Sequence, residues 1–275
     1  MLTLDRISYR YAGARVAALL DVSLTLGPGE VVGLLGASES GKTTLCLVAA
    51  GLAPRTVGGT LRGRLLLEGE DTAGLPIHSL VDRVGMAFSS PATQLTGVAY
   101  TVYEEVAFGP MNLGVPRSEV IARTGAALEA LRIEALAERD PARLSGGQQQ
   151  LVGIAGLLAL GPAHLVLDEP TAQLDPTGTR MVADALERLA ANGASILIAE
   201  QKTDLVAELC SRVVVLGGGR LVRQGATTEV LDDPALAELG VAPPARSRLG
   251  QALATRGISS NLAERLRSAL ATGAR

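Results

Sequence analysis

The chain has 275 residues, 47% of them hydrophobic, with aromatics at only 2% and no Trp. That is enough for one large domain, or a domain with an appendage, built on Leu, Val, Ile and Ala. The net charge of -3 gives no electrostatic ground for nucleic acid as a bulk partner. No apolar run reaches the ~20 residues that span a bilayer. Residues 1–6 lack the basic-then-apolar layout of a signal peptide, so a soluble, cytoplasmic chain is expected. Cys46 and Cys210 both lie in apolar surroundings, as small buried hydrophobes do in a reducing compartment, and not as a disulfide or metal pair would.

Residues 2–9 alternate apolar and polar, the pattern of a half-buried strand. Tyr9 and Tyr11 follow. One of them could stack on an adenine ring, with Tyr11 better placed just past the strand; an ordinary strand-end tyrosine is the equal alternative. Residues 22–26 and 30–35 read as strands parted by Gly27-Pro28-Gly29. Next comes Gly36-Ala37-Ser38-Glu39-Ser40-Gly41-Lys42-Thr43-Thr44, a strand-turn-helix stretch with the spacing of a phosphate-cradling loop. Its N–H groups and the helix N-terminus would face an anion. Lys42 would add a point charge near the terminal phosphates, and Thr43 a hydroxyl for Mg²⁺.

Further strands are expected at 61–68 and 81–88. Residues 100–112 and 118–132 look helical, parted by Gly114 and Pro116, with a short helical stretch at 134–139. Beyond Pro141 and Leu144-Ser145-Gly146-Gly147-Gln148, a small-residue helix runs to about 160. Strand 164–168, helix 177–191, strand 195–199, helix 202–210 and strand 212–216 then alternate, which calls for a parallel sheet flanked by helices. Gly217-Gly218-Gly219 turns into a second hairpin strand at 220–224, and Thr227-Thr228-Glu229 resembles a helix cap. Past Pro243-Pro244 the tail turns basic, with Arg246, Arg248, Arg256, Arg265, Arg267 and Arg275. Leu262, Leu266 and Leu270 share a helix face. That face fits either a loosely packed tail helix or a contact with a partner subunit.

Two more stretches carry chemistry. Leu165-Val166-Leu167-Asp168-Glu169 is an apolar strand ending in two acids. With the phosphate loop before it, this is the layout of P-loop ATPases, in which Asp168 would hold Mg²⁺ and Glu169 would orient and polarise the attacking water. Ser145, Gly146, Gly147 and Gln148 present N–H groups and a hydroxyl at a helix start, suited to a second phosphate or to a plain glycine-rich cap.

The phosphate loop, the Ser145–Gln148 segment and the acid pair, in this order, resemble the ATPase subunit of ABC transporters over residues 2–235. Residues 170–176 are similar to that family's D-loop, with Leu174 and Asp175 at the dimer seam. Ser90-Pro91-Ala92-Thr93-Gln94-Leu95, together with Glu104-Glu105-Val106-Ala107-Phe108-Gly109-Pro110-Met111-Asn112-Leu113-Gly114, resembles the ATPases of energy-coupling factor importers, which take up vitamins or transition-metal ions.

The resemblance implies an α/β fold with a P-loop core, an N-terminal antiparallel β-subdomain and a helical insert at about 89–160, within an ATPase domain of 1–240. Residues 241–275 would form a C-terminal extension that helps dimerise. It implies ATP and Mg²⁺ as cofactors, a second ATPase subunit, and an integral membrane subunit holding the chain at the cytoplasmic side of the cell membrane. Residues 36–44 would hold phosphates, Lys42, Glu169 and Gln201 would serve catalysis, and Ser145–Gln148 would close on the partner's ATP.

Three positions depart from the family. Glu39 stands where glycine is usual, which costs roughly 1–2 kcal/mol in a left-handed backbone state. Ser89 stands where the Q-loop glutamine is expected and is too short to replace it. Gln201 stands at the switch histidine and cannot carry its charge. These deviations point to a heterodimer with unequal sites, of which this chain's own is the slow one. A nearly inert ATP-binding clamp and a soluble, non-transport ABC protein are the alternatives.

Overall fold

The computed structural model describes residues 1–249. In chain order, β1 (Leu2–Arg10) and β2 (Leu19–Leu26) form a hairpin, β3 (Val31–Leu35) follows, and α1 (Lys42–Ala49) begins inside the phosphate loop. β4 (Thr60–Leu67), the two-residue β5 (Glu70–Asp71) and β6 (Val84–Ala87) come next. Three helices succeed them: α2 (Val102–Asn112), α3 (Arg117–Ala130) and α4 (Gly146–Leu160). The remainder alternates: β7 (His164–Asp168), α5 (Pro176–Ala191), β8 (Ser195–Ala199), α6 (Thr203–Leu209), β9 (Arg212–Gly217), β10 (Arg220–Ala226) and α7 (Thr227–Leu231).

The strands sort into two sheets. One is antiparallel, in the order β2-β1-β4-β5; the other has the order β10-β9-β3-β8-β7-β6. In the second, β9, β3, β8, β7 and β6 run parallel and only β10 is antiparallel. The alternation of strands and helices along the sequence requires this, because parallel neighbours need a crossover between them. The register pairs Leu34 with Ala199 and Asp168 with Ala199. The carboxyl ends of β3, β7 and β8 therefore finish level, at the sheet edge where ligands of open α/β folds gather.

The parallel strands are apolar on both faces, and their two-residue period divides the core. Val31, Leu35, Leu165, Leu167, Ile196 and Ile198 point to one side and pack with α2–α6. Val32, Leu34, Val166, Leu197 and Ala199 point to the other, where α1 and the antiparallel sheet cover them. Leu, Val, Ile and Ala do fill both cores. Cys46 and Cys210 are buried and unpaired. Burial pushes the Cys210 thiol up to about 12, helped by the nearby Glu200 charge.

Local differences from expectation have local causes. The run at 81–88 is a strand only over β6, because residues 81–83 complete a turn that Arg83 N and Val84 N close on Leu80 O. The expected threonine cap before α7 does not form. The helix starts at Thr227 with Ala226 as its cap, and the Thr227 hydroxyl donates to Cys210 O at 2.6 Å. The tail face of Leu262, Leu266 and Leu270 lies outside the described residues.

Candidate functional site

The loop after β3 takes its shape from backbone states that side chains resist. Gly36 has φ +147°, Glu39 +63° and Gly41 +106°. A Cβ on Gly36 would stand 2.4 Å from Leu216 O, and one on Gly41 2.8 Å from Ala18 O, so both positions need glycine. Glu39 occupies the left-handed region as expected, and its side chain is exposed. Ala37 and Ser38 complete the turn, and Ser40 N donates back to Ala37 O.

Lys42 is only 6% exposed. Its Nζ donates to Gly36 O and Ala37 O, each at 2.9 Å, so the ammonium sits inside the ring of the loop. α1 has Gly41 as its N-cap and no side chain capping it, which leaves its first N–H groups open toward the loop. Ser40 Oγ is buried without a hydrogen-bond partner. Uncapped amides, an unpartnered hydroxyl and a cation in one cradle fit a phosphate chain.

Asp168 ends β7, 3% exposed. Burial raises its carboxyl above the usual carboxylate range, against a hydrogen bond from Thr43. Glu169 follows in a left-handed state at φ +50°, pinned by its N–H donating to Ala199 O at 2.8 Å. From the loop after β8, Gln201 Nε2 donates to Glu169 Oε1 at 2.7 Å. The structure thus joins the phosphate loop to the acids through Thr43 and Asp168, and the acids to Gln201 directly.

Tyr11 and Tyr9 separate clearly. Tyr9 is core, 1% exposed, with its hydroxyl on Gly58 O. Tyr11 is half-buried, lies edge-on to Tyr9 with ring centroids 5.0 Å apart, and shares a 3.0 Å hydrogen bond with Thr44 Oγ1. Thr44 is thereby committed to fixing Tyr11 beside α1.

Ser145–Gln148 forms a capping box at α4. Ser145 Oγ accepts from Gln148 N at 3.3 Å, and Gln148 Oε1 accepts from Ser145 N at 3.1 Å. Ser145 and Gly146 are exposed. The segment packs against the loop that follows β7: a Cβ on Gly146 would stand 2.5 Å from Gln173 Oε1. Asp175 of that loop caps α5 by accepting from Gly178 N at 2.7 Å.

Several organising residues escaped the sequence reading. Gln94 Oε1 accepts from Phe88 N at 3.1 Å and Gln150 Nε2 donates to Phe88 O at 3.3 Å, so both backbone groups of the residue before Ser89 are held. Glu105 accepts from Thr96 N and Oγ1, each at 2.7 Å, and closes the loop before α2. Glu200 ties the loops that carry Glu169 and Gln201. Gln94 and Glu105 lay within stretches already quoted for their family resemblance; for Glu200, an acid ending an apolar run was the only signal.

A phosphate cradle after one strand and an acid pair at the end of another, on a parallel sheet, define a P-loop nucleotide-binding protein. The protein-family model described as "ABC transporter" matches residues 19–172, more than half of the chain, and this chain belongs to that family. It is 36% identical over 260 residues to the energy-coupling factor transporter ATP-binding protein EcfA of Enterococcus faecium, covering 94% of this chain and 91% of that one. A "putative ABC transporter ATP-binding protein" of Methanosarcina acetivorans is 41% identical over 244 residues; the match takes in 88% of this chain but only 39% of the relative. Among solved structures, cbiO1 from Clostridium perfringens, described as part of the ABC transporter complex cbiONQ, superposes with a TM-score of 0.74 at 31% identity, covering 91% of this chain and 98% of that one. A cassette solved as a dimer bound to ADP and Pi gives 0.72 at 26% identity, covering 82% and 99%.

Proposed function

We propose that the chain is the ATP-binding subunit of an importer of the energy-coupling type, taking up a vitamin or a transition-metal ion. It would bind and hydrolyse ATP at a site completed by a second ATPase subunit. The observation that carries this reading is the Lys42 ammonium in its ring of loop carbonyls, with the next residue, Thr43, paired to Asp168. Residues 36–44 would hold the phosphates through N–H groups and the Lys42 charge. Tyr11, fixed by Thr44, would take the adenine ring.

Thr43 and Asp168 offer hard oxygen ligands suited to Mg²⁺. Among the described residues no cluster of three or more His, Cys, Asp and Glu could hold a metal, so these two fit an ion whose other ligands come from the nucleotide and water. Bound Mg²⁺ would neutralise charge on the phosphates. Glu169 would orient the attacking water, and Gln201 would contact the γ-phosphate. Ser145, Gly146, Gly147 and Gln148 are exposed or half-exposed and would close on ATP held by the partner; the Ser145 hydroxyl keeps its proton to donate.

An integral membrane partner is supported by an apolar surface around α2 and α3. Val98 is 65% exposed, Tyr100 85% and Met111 62%, and Phe108, Leu113 and Ile121 are also exposed, side chains that a membrane subunit would cover. No helix among the described residues is long and apolar enough to cross a membrane, which fits peripheral attachment on the cytoplasmic side. Residues 241–275 would assist dimerisation.

The site supports inequality between the two nucleotide positions. Gln201 already occupies one oxygen of the carboxylate that the water would approach, Glu39 holds a left-handed backbone state in the loop, and Ser89 would be too short to reach the site as a glutamine does. The same contact favours the second reading, an ATP-binding clamp that serves its partner's site. The discriminating experiment replaces Glu169 by Gln in the assembled heterodimer and then makes the same change in the partner. Unequal sites require a small loss from Glu169→Gln and a large one from the partner's change; equal losses refute the inequality. Full transport by a Lys42→Ala chain would favour the clamp.

A further inference from the structure

Glu200 follows β8 and is 2% exposed, although a carboxylate in the interior is costly unless donors satisfy it. Both of its oxygens are used. Oε1 accepts from Thr171 N at 3.2 Å and Thr171 Oγ1 at 2.6 Å. Oε2 accepts from Gln201 N at 3.1 Å and Lys202 N at 3.4 Å. All of these donors belong to two loops, the one carrying Glu169 and the one carrying Gln201. Thr171 is itself fully buried. The carboxylate can therefore stay satisfied only while both loops keep their places.

Two further observations strengthen the link. Lys202 Nζ donates to Thr171 O at 2.7 Å and Thr179 Oγ1 at 3.2 Å, fastening the same loop from outside. The next residues are anchored in turn: Thr203 Oγ1 donates to Ala242 O at 2.9 Å, and Asp204 Oδ1 accepts from Ala245 N at 2.8 Å. Glu169 also sits at φ +50°, and a strained backbone state persists only where its surroundings over-determine it.

We propose that Glu200 is a positioning residue that locks the Glu169 loop to the Gln201 segment, so that these two side chains keep their 2.7 Å contact and address bound nucleotide as one unit. It touches neither nucleotide nor water itself. The inference rests on the hydrolytic reading of the site. Glu200→Gln keeps the shape but turns an acceptor oxygen into a donor facing N–H groups. Thr171→Val removes one hydroxyl, and Thr171→Ser restores it.

The test uses the full-length chain in the dimer it forms, with any different partner chain carrying Gln at its own catalytic acid, so that turnover reports this chain's site. Steady-state hydrolysis and equilibrium MgATP binding are measured for each variant. The expected result is a kcat about 10- to 100-fold lower in Glu200→Gln and Thr171→Val, the range for a misplaced reacting group. KM and MgATP affinity should stay unchanged, and Thr171→Ser should recover most of the rate. A wild-type kcat in both impaired variants overturns the proposal. So does a parallel fall in kcat and affinity, or a Thr171→Ser chain as slow as Thr171→Val. A wild-type dimer without turnover would instead refute the hydrolytic reading. Should Glu200→Gln fail to fold, the Thr171 pair alone gives the same decision.

Discussion

The phosphate loop and the Ser145–Gln148 segment are both glycine-bearing turns that open a helix, yet they are built in opposite ways. The first is closed on itself: Lys42 is buried, its amine is held by carbonyls of its own loop, and α1 is left without a side-chain cap. The second is finished as a helix end and open as a surface. Its serine and glutamine cap each other, and Ser145 and Gly146 face solvent. A turn that must hold an anion by itself keeps its amides free and brings its own cation. A turn proposed to close on a ligand held by another chain can satisfy its own helix in the meantime.

The largest test of this contrast is Lys42→Ala. It should weaken MgATP binding by the single chain about 10- to 100-fold, the loss expected of hydrogen bonds to a charged group, as read by equilibrium titration. Binding at wild-type strength would show that the loop does not hold the phosphates. Ser145→Ala should leave that titration unchanged and instead abolish turnover at the partner's position in the dimer. It should also destabilise the free chain by about 1 kcal/mol through loss of the cap, visible as a small drop in the thermal midpoint. A Ser145→Ala chain that lost its own nucleotide affinity would erase the distinction between the two turns.

The smallest effect is a control that should touch neither turn. His164, at the opposite end of β7 from Asp168, hydrogen-bonds Glu68. Burial pulls the Glu68 carboxyl up, but hydrogen bonds from Arg83 and His164 outweigh it and hold the group at about 2, below its ordinary 4.5. Burial lowers His164 beneath 6.5 despite the pull of Glu68. Both groups bind protons less readily when folded, so both contributions are present at neutral pH and are lost on acidification. That of His164 fades as pH falls below 6.5, and that of Glu68 between 4.5 and 2. Thermal midpoints should fall accordingly, and Glu68→Gln should flatten the lower part of the profile. An unchanged profile in Glu68→Gln would remove this pair from the account.

What could be read from the chain alone follows from how far each feature reaches. The phosphate loop is legible because its glycines, lysine and threonine act within nine consecutive residues. β7, β8 and β9 are legible because parallel strands are apolar on both faces. Thr227 misled for the opposite reason: its hydroxyl serves Cys210 O, seventeen residues back, and not the helix it opens. Glu200 meets Thr171 across β8 and α5, and Gln150 of α4 meets Phe88 from sixty-two residues away. Neither pairing leaves a local pattern, so only the folded chain shows them. β5 is two residues long and has no period to detect.

The double hold on Phe88 has a mechanical corollary. Its amide answers to Gln94 and its carbonyl to Gln150, which belongs to α4. A tilt of α4 against the sheet would pull on the two peptides that flank Phe88, just past β6, and through the second of them on Ser89. Displacement of the helical block would therefore be passed to Ser89 itself, the position that the family resemblance assigns to a glutamine.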